Sequence, residues 1–340
     1  MEDRRKNLNI AIVNSSSFGK YFPEHIDRLR KLGKVKRFEF PPDIDGKCLA
    51  EKLKGFSVLI ASVKPVYNRD FFFHKDETLL IARHGIGYDN IDLESATEKG
   101  VIVTKVPGEV EREAVAEMTV SLLITVMRRI GEASAAVRRG KWKDRAKFIG
   151  WELKGKNVGI IGFGNIGSRV GEILRQGFSA RILAYDPFLP EEEIRGKGAE
   201  PVSLEELLKN SDIISLNASL SRENYHMLSH KEFSLMKQGV ILVNTARGEL
   251  IDEEALLLAL ENGKVAGVGL DVVEGEPIGP KHPLLKFPNV VITPHIAAYT
   301  FECLRAMGEK VVCVVEKVAK GELPDEIINK EVLNRGKWRI

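Results

Sequence analysis

The chain is poor in cysteine, in glutamine and in long apolar runs, and its charge is nearly balanced. Its three cysteines, Cys48, Cys303 and Cys313, are odd in number and widely spaced over 340 residues. They suggest neither a disulfide framework nor a zinc site, and they make a reducing cytoplasm the default setting. The longest apolar stretches, such as the one around residues 120–124, end far short of the roughly 20 residues that cross a bilayer. The opening Met1-Glu2-Asp3-Arg4-Arg5-Lys6 leads into only a handful of apolar residues, at 10–13, so no secretory signal is expected. With 51 basic and 48 acidic side chains the formal net charge is +3. So small an imbalance gives no global reason to expect nucleic acid or a membrane surface as a partner. Only two glutamines, Gln176 and Gln238, stand among many Lys and Glu, which leans towards a heat-adapted source.

What is present is a globular composition, 44% hydrophobic and 29% charged, on a chain long enough for two cores. Short β-branched runs alternate with amphipathic stretches, the pattern of parallel sheets covered by helices. In the first hundred residues strands are expected at 9–13, 35–40, 58–61, 79–82 and 101–104. A long helix is expected from 112 to about 139, with no Pro and one Gly. The alternation then restarts, with strands at 157–161, 181–185, 213–216, 240–244, 265–270 and 290–292. A last helix is expected from about 300 to 320. Two α/β series joined by a long helix predict two domains, each with its own parallel sheet. Ligands of such sheets bind beyond the carboxyl ends of the strands, and two domains would place a cleft between them.

Gly162-Phe163-Gly164-Asn165-Ile166-Gly167 fits the G-x-G-x-x-G pattern, with a strand before it and a helical stretch after it. The first Gly permits the tight turn, the second lets a pyrophosphate approach the backbone, and the third lets helix pack on strand. The pyrophosphate would then sit on a helix N-terminus, where free N–H groups and the dipole favour an anion. Asp186 ends the next strand, 19 residues beyond Gly167. A carboxylate there accepts hydrogen bonds from a ribose and repels a 2′-phosphate, which favours NAD over NADP. A second glycine group, His84-Gly85-Ile86-Gly87, also follows a strand. It lacks a third Gly at the dinucleotide spacing, and its residues alone fit either a small-anion cradle or a plain turn.

Three polar residues stand just beyond predicted strand ends of the second series: Arg247, Glu276 and His295. If the strands are parallel, they share the sheet edge that carries the glycine loop. An Arg binds a carboxylate through two parallel hydrogen bonds. A His exchanges protons near neutrality, and a Glu beside it orients the ring and favours its protonated form. The remaining histidines, His25, His74, His226, His230 and His282, have no such setting and are expected to be surface or packing residues. The basic pairs Arg128-Arg129 and Arg138-Arg139 fit a solvated or interface face of the long helix.

Over nearly its whole length the chain resembles the D-isomer-specific 2-hydroxyacid dehydrogenases. The resemblance rests on Arg83-His84-Gly85-Ile86-Gly87-Tyr88-Asp89-Asn90-Ile91-Asp92, Val115-Ala116-Glu117, Glu152-Leu153-Lys154-Gly155-Lys156 and the Gly162–Gly167 loop. It continues through Asn244-Thr245-Ala246-Arg247-Gly248, Gly269-Leu270-Asp271-Val272, Glu276-Pro277 and Thr293-Pro294-His295-Ile296-Ala297. It implies two Rossmann-like or flavodoxin-like α/β domains with the active site in the cleft between them. The substrate-binding domain would be discontinuous, 1–105 plus 298–340, and the NAD-binding Rossmann domain would be 106–297. Arg247, Glu276 and His295 would be catalytic. NAD would be held by Gly162, Gly164, Asn165, Ile166, Gly167, Asp186, Asn217, Thr245, Ala246, Arg247, Asp271, His295 and Ala297, with Asp271 on the nicotinamide carboxamide. The substrate carboxylate would meet His84, Ile86, Gly87 and Arg247. No metal is implied. A homodimer built through the helix at 112–139 is implied as well.

Two segments depart from the family's pattern. Asn217-Ala218-Ser219-Leu220 stands where many members have His and Pro, and the stretch 106–112 is unusually charged. The expected activity is reversible, NAD-dependent reduction of a small 2-oxoacid to a D-2-hydroxyacid, of glyoxylate/hydroxypyruvate, phosphohydroxypyruvate or D-lactate type. The rival readings are a non-catalytic, NAD-sensing corepressor-like protein and a formate- or phosphite-type dehydrogenase. The acid at Glu276 counts against formate, because formate enzymes carry an amide there.

Overall fold

The structure, a computed structural model, describes residues 8–335. They divide into two compact units, with breaks after Glu111 and after Ala298. In the first unit β1 (Leu8–Val13), α1 (Pro23–Arg30), β2 (Gly33–Phe38), α2 (Gly46–Lys52) and β3 (Val58–Ala61) come first. They are followed by α3 (Arg69–His74), β4 (Leu80–Arg83), α4 (Leu93–Glu98) and β5 (Ile102–Thr104). The strands form one parallel sheet in the order β2-β1-β3-β4-β5. Every residue of β3 and β4 is buried, as strands covered by helices on both faces require, whereas the edge strand β2 has no buried residue. Asp45, Asn68 and Asp92 start α2, α3 and α4 by accepting the N–H of Cys48, Phe71 and Ser95.

Helix α5 (Gly108–Met127) crosses the division between the units. The second unit continues with α6 (Ile130–Arg138), β6 (Asn157–Ile161), α7 (Asn165–Phe178), β7 (Arg181–Tyr185), α8 (Glu191–Gly196) and β8 (Glu200–Pro201). Then come α9 (Leu204–Asn210), β9 (Ile213–Leu216), α10 (His230–Leu235), β10 (Val240–Asn244), α11 (Glu253–Glu261), β11 (Val265–Leu270) and β12 (Val290–Ile292). Its seven strands are all parallel, in the order β12-β11-β10-β9-β6-β7-β8. The chain leaves β6 towards β7 on one side and returns as β9 on the other, so the turn after β6 lies at a topological switch point. The last helix, α12 (Phe301–Ala319), belongs to the first unit and packs on α1. Arg28 of α1 donates to Glu309 and Glu316 of α12 at 2.6–2.9 Å. Asn329, 3% exposed, ties the following segment to β5 by accepting the Val103 N–H and donating to the Val101 carbonyl.

The strands fall where the apolar runs place them, with ends shifted by a residue or two at β1, β2, β4 and β5. Two features differ from expectation. The two-residue strand β8 has no β-branched run to announce it. The single helix expected over 112–139 is two helices, and this also corrects the helix through which a homodimer was expected. Arg129 adopts φ 51° between α5 and α6. Its guanidinium donates to both carboxylate oxygens of Glu132, at 2.8 and 2.6 Å, and to the Lys147 carbonyl. These bonds hold a break that neither Pro nor Gly marks at Arg128-Arg129.

Candidate active site

The turn after β6 is built by two glycine constraints. Gly162 has φ +85°, and a side chain there would run into the Ala218 backbone. Gly167 lies against the Gly162 carbonyl, so any side chain would push α7 off β6. Gly164 is the N-cap of α7 and has no side chain to cap it. The first N–H groups of the helix, those of Asn165, Ile166 and Gly167, are therefore left for an anion. No atom lies within 4 Å of the place where a Gly164 side chain would start, so the backbone is open to a ligand. Asp186 follows β7 and is locked beside this turn. One carboxylate oxygen accepts the Phe163 N–H at 2.8 Å and the other the Phe188 N–H at 3.0 Å. Asn217, just past β9, accepts the Ser215 hydroxyl at 2.8 Å, while its own Nδ2 is buried with no partner. A buried donor without an acceptor is costly, and a bound ligand would supply the acceptor. Loop, helix end, carboxylate and orphan amide together fit a dinucleotide.

Beyond β10, Asn244 is fully buried and shapes the turn that presents Arg247. Its amide donates to the Arg247 carbonyl at 2.7 Å and its oxygen accepts the Ala246 N–H at 2.9 Å. Thr245 shares a 2.7 Å hydrogen bond with Thr119 of α5, so its hydroxyl anchors the turn to the helix beneath it. Beyond β11, Asp271 is 1% exposed. Its carboxylate accepts the Thr293 hydroxyl at 2.6 Å, the Ile296 N–H at 2.9 Å and the Ala297 N–H at 2.7 Å. Its carbonyl accepts the His295 N–H at 2.8 Å. Burial pushes the Asp271 carboxyl up, against the pull of these hydrogen bonds. The four bonds bend the chain after β12 so that His295 sits at φ 53°, in the left-handed region. There Nδ1 of His295 meets Oε1 of Glu276 at 2.5 Å, a short contact between half-buried side chains. With Nδ1 committed to Glu276, Nε2 is the ring nitrogen available for proton exchange. The structure thus joins Glu276 to His295 directly, and Asp271, which sequence alone placed only as a cofactor residue, builds the turn that aims the histidine.

In the first unit His84, Ile86 and Gly87 follow β4. His84 is 7% exposed and its Nε2 has no partner. Burial first, then the neighbouring Arg83 and His25, hold its pKa down to about 3, so the ring is neutral. The Ile86 N–H donates at 3.0 Å to Glu111, a carboxylate only 6% exposed. Sequence reasoning missed Glu111, whose one visible signal was the unusual charge of the stretch after Val106. One of the backbone donors of this turn thus already holds a carboxylate, one belonging to the chain itself.

Glycine turn, acid and uncapped helix end define the second unit as a dinucleotide-binding one within a two-unit α/β dehydrogenase. Residues 120–297 match the family described as D-isomer specific 2-hydroxyacid dehydrogenase, NAD binding domain. The chain is 40% identical over 318 residues to a glyoxylate reductase of Thermococcus litoralis, covering 92% of this chain and 95% of that one. It is 40% identical over 309 residues to a D-3-phosphoglycerate dehydrogenase of Methanocaldococcus jannaschii, covering 90% of this chain but 58% of that longer one. Among solved structures, the D-lactate dehydrogenase of Aquifex aeolicus, complexed with NAD and lactic acid, superposes with a TM-score of 0.81. It is 30% identical and covers 96% of this chain and 98% of that one. The protein belongs to the D-isomer specific 2-hydroxyacid dehydrogenases and is an NAD-dependent oxidoreductase.

Proposed function

We propose that the protein reduces glyoxylate or hydroxypyruvate, small 2-oxoacids, to the corresponding 2-hydroxyacid, of D configuration where C2 is chiral, and that Arg247, Glu276 and His295 carry the reaction. The observation behind this reading is the 2.5 Å Glu276–His295 contact at the strand ends of a dinucleotide-binding sheet. Gly162–Gly167 and Asp186 would hold NAD, whose reduced form would supply the hydride for the carbonyl carbon. Arg247 binds the substrate carboxylate through its fork and fixes the carbonyl in place. His295 donates a proton from Nε2 to the carbonyl oxygen as negative charge develops there. Glu276 holds the ring in the orientation that this donation needs. One hydride and one proton thus convert the 2-oxo group to a hydroxyl, and the reverse reaction returns the proton to His295.

In the first unit (the substrate-binding domain of this reading) His84 and the backbone N–H groups of Ile86 and Gly87 are the candidates for the carboxylate, the Ile86 N–H once it is released by Glu111. Its neutral, buried His84 suits a small substituent better than a phosphate. The relatives named glyoxylate reductase point the same way. A homodimer is part of the proposal. Ile130, Val137, Trp142 and Ile149 are 47–77% exposed within one stretch of the second unit, a concentration of apolar side chains that a second copy would cover. The three free cysteines support a cytoplasmic setting. Among the described residues no helix is long and apolar enough to cross a membrane. NADH consumption with glyoxylate, hydroxypyruvate, phosphohydroxypyruvate, pyruvate and branched 2-oxoacids tests the substrate. Glyoxylate or hydroxypyruvate should give the highest kcat/KM. Preference for phosphohydroxypyruvate would overturn the choice, and inactivity with every 2-oxoacid would overturn the activity.

A further inference from the structure

The Arg247 turn and the Glu276 turn are brought together by a third segment, whose His226 sequence alone left as a surface or packing residue. The His226 N–H donates to the Glu249 carbonyl at 2.8 Å and the Leu228 N–H to the Leu250 carbonyl at 3.1 Å. This ties residues 226–228 to the short helical turn that follows Arg247. The side chains of the same segment reach the other turn. Tyr225 donates its hydroxyl to one carboxylate oxygen of Glu274 at 2.6 Å, and His226 Nε2 meets the other at 2.7 Å. The two rings stack with centroids 3.9 Å apart, so they hold each other in the geometry that grips both oxygens. His226 adopts φ 52° to do this, a backbone state that a histidine keeps only when its surroundings impose it. Between the turns there is no slack. Gly248 lies against the Val273–Glu274 backbone, and any side chain at 248 would collide with it.

We infer that Tyr225 and His226, by clasping Glu274, act as positioning residues that set Glu276 against His295 at a fixed distance from Arg247. The inference rests on the catalytic reading of those three residues. Glu274 is two residues before Glu276, and the clasp stands where an error would be passed directly to the 2.5 Å contact. A displacement of about 1 Å at a reacting centre costs up to roughly a hundredfold in rate, so loosening one of its supports should cost on the order of tenfold.

The test uses the full-length enzyme with saturating NADH and glyoxylate as the probe substrate. Glu274→Ala should lower kcat about tenfold while NADH affinity, read by protein-to-NADH fluorescence transfer, stays within about twofold. Glu274→Gln, which keeps an acceptor and the shape, should recover part of the loss. In a background that already carries Glu276→Gln, Glu274→Ala should add little, because both act through the same contact. A merely structural role would give additive losses or a lowered Tm with kcat preserved, and either result overturns the inference. Tyr225→Phe removes one hydrogen bond alone and should cost a few-fold in kcat. If Glu274→Ala does not fold, unchanged kcat in Tyr225→Phe and in His226→Ala overturns the inference instead. His295→Ala is measured in parallel. If it is inactive while the clasp variants are normal, only the clasp is refuted. If it turns over normally, the catalytic reading fails and the clasp fails with it.

Discussion

Glu276→Gln isolates the charge on the carboxylate that holds His295. The amide keeps nearly the same shape, and its oxygen can still accept the Nδ1–H. What it loses is the ionised partner in a contact of 2.5 Å between side chains 29% and 27% exposed. A hydrogen bond to a charged group contributes about 1.5–3 kcal/mol and a neutral one about 0.5–1.5 kcal/mol. Protonated His295 therefore loses roughly 1–2 kcal/mol of support, which corresponds to about 5–30-fold in a rate that depends on it. Reduction needs the protonated ring, so reductive kcat should fall by that factor. KM for the 2-oxoacid and the affinity for NADH should change little, because Glu276 itself is not asked to bind the carboxylate or the dinucleotide. His295→Ala should lose roughly two orders of magnitude or more. The assay is the disappearance of NADH at saturating substrate, with NADH titrated separately by fluorescence. Unchanged kcat in Glu276→Gln would show that the two side chains are not coupled during the reaction. Near-normal turnover in His295→Ala would show that the proton comes from another group.

Three further outcomes are expected. Asp186→Ala should narrow the preference for NADH over NADPH by about tenfold or more in kcat/KM, because a carboxylate facing a 2′-phosphate costs several kcal/mol; steady-state kinetics with both cofactors check it. Glu111→Ala should lower KM for glyoxylate several-fold, since the Glu111 carboxylate now occupies the Ile86 N–H; an unchanged or higher KM would show that the substrate does not use that donor. His84, held to about 3 in the fold against 6.5 in the open chain, should make stability fall as pH drops through that window, because the unfolded chain then binds the extra proton. At about pH 4.5 the loss is roughly 3 kcal/mol, and His84→Gln should remove it from the difference between denaturant unfolding at pH 7 and at pH 4.5.

Features encoded by period or by short spacing could be read before the structure was seen. Parallel strands buried on both faces appear as unbroken β-branched runs, so β3, β6, β9 and β10 could be placed to the residue. The glycine turn was legible for a related reason, since Gly162 and Gly167 answer local steric demands and Gly164 leaves the backbone open. Contacts made across long sequence separations leave no such trace. Nothing near Arg129 in sequence reports that the Lys147 carbonyl will reward a left-handed turn there, so one long helix was expected where two exist. Asp271 was found by its motif, but its bonds to residues 293–297 come from 22 or more positions away. His226 was dismissed for the same reason, because its partner Glu274 lies 48 residues further on. Glu111 shows the limit most plainly. As a sequence feature it was one more charge in an unusually charged stretch, whereas in three dimensions it sits on the backbone donor proposed for the substrate. Residues proposed to act on the substrate were therefore easier to name than residues that hold them still.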